Sequence, residues 1–99
     1  MSNIRYKNNV LFVEKTSVKR IASKYKSPFY LYSNSNIEQN YRSFYNNFKS
    51  AKPLICFSVK ANSNIQILKI LRKLGSGADV VSGGELLKVL KSGIRPDKI

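Results

Sequence analysis

Acidic residues are scarce in this chain: 5 Asp and Glu stand against 18 Lys and Arg, a formal charge of +13 over 99 residues. Such a balance raises nucleic acid or an anionic membrane as partners. The distribution excludes the strong form of that idea. Basic residues come singly or in pairs, and no run of five or more makes a basic tail. Most of the charge therefore reads as ordinary solvated surface. Cysteine is nearly absent too. Cys56 stands alone, so no internal disulfide can form, and a reducing, cytoplasmic compartment is expected. No apolar run approaches the roughly 20 residues that span a bilayer, and the opening "MSNIRYKNNVLFVEK" is not apolar enough for a signal peptide. Neither a phosphate-loop spacing nor GxGxxG occurs, so there is no nucleotide fingerprint. No metal site is expected. Histidine is missing altogether.

What is present suits one small folded domain. Hydrophobic residues make up 42% and charged residues 23%, which argues against global disorder. "VLFV" at 10–13 reads as a strand, and Thr16 or Ser17 can cap a short helix running to about Tyr25. After Pro28, the aromatic-rich "FYLYS" at 29–33 reads as a second strand. Ser33, Asn34, Ser35 and Asn36 then offer caps for a helix to about Phe48. Its apolar residues Ile37, Tyr41, Phe44, Tyr45 and Phe48 share one face, expected to be core. "PLICFSV" at 53–59 reads as a third strand. A capped helix carrying Ile65, Leu68, Leu71 and Leu74 follows and stops at Gly75. "ADVVS" at 78–82 is a fourth strand, Gly83 and Gly84 a turn, and residues 85–92 a helix stopped by Gly93. From Phe29 the order alternates strand and helix with short connections, which predicts parallel strands and an α/β architecture.

Two stretches carry chemistry. In "LICFSVK", alternation along a strand puts Ile55, Phe57 and Val59 on a helix-packing face and Cys56, Ser58 and Lys60 on the other. Lys60 falls at the C-terminal end of its strand, where parallel α/β folds bind ligands. Partial desolvation there makes a neutral amine available as a nucleophile toward a carbonyl. The plain alternative is a strand end reaching water. "LGSGADVVSGGEL", residues 74–86, holds Asp79 in what looks like a buried strand and Glu85 after a glycine turn. A buried carboxylate needs a partner. The glycines and Glu85 equally suit a tight turn and a helix cap.

Taken together, "SPFYLYS", "CFSVKAN" and "LGSGADVVSGGEL", in this order and spacing, resemble the N-terminal part of the diaminopimelate decarboxylases. These belong to the alanine-racemase-like, pyridoxal-phosphate-dependent decarboxylases, and the resemblance runs from about Val10 to Ile99. It implies a partial (β/α)8 TIM barrel, about the first three βα units, after a short N-terminal strand and helix. Residues 1–26 would lead into the barrel, with the strand at 10–13 belonging to a separate β-domain, and 27–99 would be the incomplete pyridoxal-phosphate-binding domain. Lys60 would carry pyridoxal 5′-phosphate covalently and serve in catalysis, with Asp79 and Glu85 near the cofactor. The reaction implied converts meso-diaminopimelate to L-lysine and carbon dioxide in lysine biosynthesis, by a homodimer in the full-length family, with no membrane and no nucleic acid involved.

The sequence departs from the family in length. Members run to several hundred residues, so the expected reading is an N-terminal fragment, inactive alone. Missing are the histidine that stacks on the cofactor, the glycine-rich phosphate loop, the acid at the pyridine nitrogen and the substrate contacts. Two alternatives stay open: one part of a split decarboxylase completed by another chain, and a small basic nucleic-acid-binding module. The second would need Tyr41, Phe44, Tyr45 and Phe48 as exposed stacking groups.

Overall fold

A computed structural model describes residues 3–99 of the chain. They fall into two compact units, one ending at Ile37 and one covering Glu38–Ile99.

In the first unit three short strands form an antiparallel meander: β1 (Ile4–Lys7), β2 (Val10–Val13) and β3 (Thr16–Ser17). Ile4 pairs with Val13 and Lys7 with Val10, leaving Asn8 and Asn9 as a two-residue loop. Both have positive φ, 50° and 61°. Asparagine tolerates that region, and a tight hairpin turn matched to strand twist requires it. The strand at 10–13 is as expected; the hairpin that precedes it was not foreseen, because "IRYK" is short and half charged. Ser17 caps α1 (Val18–Ala22), its hydroxyl accepting the Arg20 N–H at 3.2 Å. This helix ends at Ala22, a turn short of the expected Tyr25.

Residues 29–33 form no strand, which corrects the expectation for "FYLYS". Aromatic and β-branched side chains favour a strand only where a neighbouring strand pairs with it. None does so among the described residues, and Tyr30 is 90% exposed.

The helix α2 (Asn34–Phe48) begins where its caps predict. The Ser33 hydroxyl accepts the Asn36 N–H at 3.1 Å. That hydroxyl donates to Glu14 Oε1 at 2.8 Å, and the same oxygen accepts the Ser35 N–H at 2.9 Å. Glu14, itself at φ 55°, thus reaches from the β2–β3 loop to hold the start of α2. The Ser35 amide and then the Ser33 hydroxyl lower the Glu14 carboxyl below its ordinary value. A carboxylate lowered on folding stabilises above the unfolded-state value, and the effect is lost as pH falls through the lower folded-state value. The protection of the Ser35 amide, measured against the exchange of an unfolded peptide at the same pH, should therefore fall on acidification, and Glu14→Ala should give the low protection at every pH. Hydrogen exchange followed by NMR across the acid range checks both.

The second unit holds most of α2, then β4 (Cys56–Ser58), α3 (Ile65–Leu74), β5 (Gly77–Asp79) and α4 (Gly83–Ser92). β4 and β5 run parallel, with Cys56 opposite Gly77 and Ser58 opposite Asp79. This is the α/β alternation expected from the sequence, with shorter strands. Val59, Leu68, Ala78, Val89 and Ile94 form the core, and Phe57 and Val80 pack against it. Asn64 caps α3, and Gly75 and Gly93 close α3 and α4 at φ 94° and 91°, where a side chain would be strained. The aromatic stripe of α2 departs from expectation. None of its residues is buried, and Phe44 and Phe48 are 54% and 50% exposed. Its rings pair along the helix instead, Tyr41 with Tyr45 at 6.4 Å and Phe44 with Phe48 at 4.9 Å. Helical periodicity marks which residues share a face; it does not supply the surface that covers them.

Candidate functional site at the C-terminal ends of the parallel strands

β4 ends at Ser58, earlier than expected, and residues 59–61 form one 3₁₀ turn. Lys60 therefore sits on that turn rather than on the strand. The predicted division of faces nevertheless holds on either side of it: Val59 is fully buried while Cys56 and Lys60 are exposed. The fully buried Val59 anchors the turn, and its neighbour is carried outward at the C-terminal end of the sheet. The Lys60 amine makes no hydrogen bond or ion pair among the described residues. The burial expected for it is not found: Lys60 is exposed.

Asp79 lies at the same end, on β5. The expectation of a buried carboxylate is corrected: Asp79 is exposed, since β5 stops there and its side chain leaves the sheet beside that of Ser58. Its partner is the Ser58 hydroxyl, which points at Oδ2 from 3.5 Å, the outer limit of a hydrogen bond.

Glu85 has a clear local task. Ser82 is the N-cap of α4, its hydroxyl accepting the Glu85 N–H at 3.2 Å, and Glu85 Oε2 accepts the Val81 N–H at 2.9 Å. This is a capping box shifted by one residue, and it also sets a carboxylate at the positive end of the helix. The helix starts at Gly83, so the glycine pair is its first turn and not a separate turn, which corrects that expectation. An added Cβ at Gly83 would meet nothing within 4 Å. Ser82→Ala should cost about 1 kcal/mol of stability, and Ser82→Asp much less, by urea unfolding.

Two further residues belong to this end of the unit: Ser63, which in the sequence is one of three possible caps for α3, and Lys88, which carries no signal there. Lys88, on α4, donates to the Ser63 hydroxyl at 2.9 Å. Ser63 lies between Asn62 and Asn64, whose side chains accept the Asn64 and Gln66 N–H groups at 3.0 and 2.9 Å. A contact between residues 25 apart depends on how α3 and α4 pack, which no local pattern reports.

Residues 34–99 match the family model described as pyridoxal-dependent decarboxylase, pyridoxal binding domain. The chain belongs to the pyridoxal-dependent decarboxylases. It is 43% identical over all its 99 residues to a diaminopimelate decarboxylase of Pseudomonas fluorescens, of which it covers 24%. A crystal structure from Aquifex aeolicus overlays with a TM-score of 0.91 at 40% identity, covering 97% of this chain and 24% of that one. A diaminopimelate decarboxylase from M. jannaschii in complex with L-lysine overlays with a TM-score of 0.87 at 32% identity, covering 95% of this chain and 24% of that one. The chain spans about a quarter of the length of the relatives it matches. Its cofactor class is pyridoxal phosphate. The residues present fit the aldehyde end of that group: Lys60 offers an exposed primary amine without a competing partner, on a turn rooted in the core. Among the described residues no helix is long and apolar enough to cross a membrane.

Proposed function

We propose that this chain supplies the cofactor-bearing lysine of a diaminopimelate decarboxylase, acting on meso-diaminopimelate to give L-lysine and carbon dioxide in the cytoplasm. The observation that carries the reading is the position of Lys60. It stands free at the C-terminal end of a parallel strand, in a chain 43% identical over its whole length to such an enzyme. The β4–α3–β5–α4 succession supports placing it among about the first three βα units of a (β/α)8 barrel.

When bound, pyridoxal phosphate supplies an electron sink for the bond broken as carbon dioxide leaves. Lys60 would hold it through Nζ and would be placed to move a proton at the substrate α-carbon. Asp79 places a negative charge beside that site on the adjacent strand. Glu85 holds the start of α4 and leaves one carboxylate oxygen for contacts near the cofactor. The stacking histidine and the phosphate loop expected of the family are not among these 99 residues, so the chain alone should be inactive. The remainder of a barrel and a second subunit are its proposed partners.

Purified chain given pyridoxal phosphate and meso-diaminopimelate should form no L-lysine. A chimera in which these 99 residues replace the matching quarter of the Pseudomonas fluorescens enzyme should form it. A folded, cofactor-binding chimera that leaves meso-diaminopimelate untouched would overturn the substrate assignment.

A second reading has one observation in its favour. Phe44, Tyr45 and Phe48 are exposed, as a basic nucleic-acid-binding module would need. That module would bind single strands with affinity falling steeply as salt rises. The match of residues 34–99 to the decarboxylase domain includes α2, and this weighs against the second reading.

A further inference from the structure

Resting on the proposed role of Lys60, we infer that Lys88 is a positioning residue: through Ser63 it holds the segment that carries the cofactor-binding amine. Lys60 lies between two cross-links to the β5–α4 half of the unit. On one side Ser58 faces Asp79 in the strand register, with the hydroxyl 3.5 Å from Oδ2. On the other, Ser63 Oγ accepts from Lys88 Nζ at 2.9 Å. Between them the Asn62 N–H bonds to the Val59 carbonyl at 3.0 Å, closing the 3₁₀ turn. After it, the Asn64 N–H is satisfied only locally, by the Asn62 side chain. Before Lys60 the β4–β5 backbone pairing restrains the chain, whereas after it the Lys88 bond is the link to α4 at Ser63.

The anchor is itself well placed. Lys88 follows Glu85 on α4, whose start is held by Ser82 and Glu85, and the next residue, Val89, is fully buried in the core. A charged donor on a rigid helix thus reaches the loop after β4. An exposed lysine needs no such contact for its own sake, and the hydroxyl it meets is three residues beyond the amine that the chemistry requires. Holding a reactive group within a fraction of an ångström is the kind of task for which a single supporting bond matters, because misplacement lowers the rate steeply.

Two measurements on the 99-residue chain test the assignment. The first is amide exchange. In Lys88→Met and in Ser63→Ala, the Asn62 and Asn64 amides should exchange about three- to tenfold faster, with the Ser76 amide, bonded to the Leu71 carbonyl, unchanged. Lys88→Arg should restore the slow exchange, and the double variant should be no faster than either single one. The second is labelling with pyridoxal phosphate and borohydride, read by peptide mass as the share of label at Lys60 against Lys69 and Lys73. That share should fall in Lys88→Met and recover in Lys88→Arg. Unchanged exchange at Asn62 and Asn64 in both single variants would overturn the tether, whatever the labelling shows. Faster exchange with an undiminished share at Lys60 would overturn its bearing on the amine. A parent chain that shows no preference for Lys60 would instead count against the proposed function, while the exchange result still decides the tether.

Discussion

Lys60→Ala in the chimera with the Pseudomonas fluorescens enzyme is expected to lower L-lysine formation by about 10³-fold or more. The size follows from two losses at one atom. On the proposed role, removing Nζ removes covalent attachment of the cofactor, and with it the group that moves a proton at the α-carbon. The structure makes this a clean substitution. Lys60 is exposed, touches no partner among the described residues and contributes nothing to the core. Neighbouring Val59 keeps the turn anchored. Folding of the variant should match the parent, so that lost activity reports chemistry. Lys69→Ala is the control: an exposed lysine on α3, whose removal leaves turnover within about twofold because surface changes away from the site cost little. Steady-state assay of carbon dioxide release checks both. A Lys60→Ala chimera that keeps a tenth of the parent rate would transfer the catalytic role to another lysine.

What the sequence disclosed about this chain was mostly what single residues decide locally. Ser17, Ser33 and Asn64 cap helices because a short polar side chain can reach the free N–H groups of a first turn. Gly75 and Gly93 end helices because only glycine takes the left-handed conformation without penalty. The buried set on α3 was legible from its spacing, and so was the separation of Cys56 and Lys60 from the face of Val59; that Lys60 is exposed rather than partly desolvated was not. Elements that depend on distant partners were not. "FYLYS" has strand-forming residues and no paired neighbour among those described. The α2 stripe has the period of a core face and lies open. The pattern of "ADVVS" predicts a strand that buries Asp79, yet β5 ends at that residue. The Lys88 to Ser63 bond had no pattern to announce it. At the candidate site, the position of Lys60 close to a strand end was legible, whereas the capping task of Glu85 depends on the Val81 amide coming within reach.

Leu68→Ala should be the most destabilising single change in the unit, at about 2–5 kcal/mol. Leu68 has no exposed surface and is among the largest fully buried side chains, at the centre of a cluster with Val59, Ala78, Val89 and Ile94. That cluster is small, so few neighbours can shift inward to fill the space left. A small domain sits near the low end of the usual 5–15 kcal/mol of folding stability, so a loss of this size removes much of what holds the unit together. The urea midpoint should fall by about 1 M or more, given slopes near 1–3 kcal/mol per molar. Leu87→Ala provides the contrast. The same deletion on α4, at a residue 70% exposed, should stay within about 0.5 kcal/mol. The comparison bears on function, because Val59 packs in the same cluster and Lys60 is its neighbour in the chain. Loosening the cluster should also raise amide exchange at Asn62, whose N–H is bonded to the Val59 carbonyl. Equal midpoints for Leu68→Ala and Leu87→Ala would mean that this cluster is not the core, and the turn bearing Lys60 would then lack the foundation assigned to it.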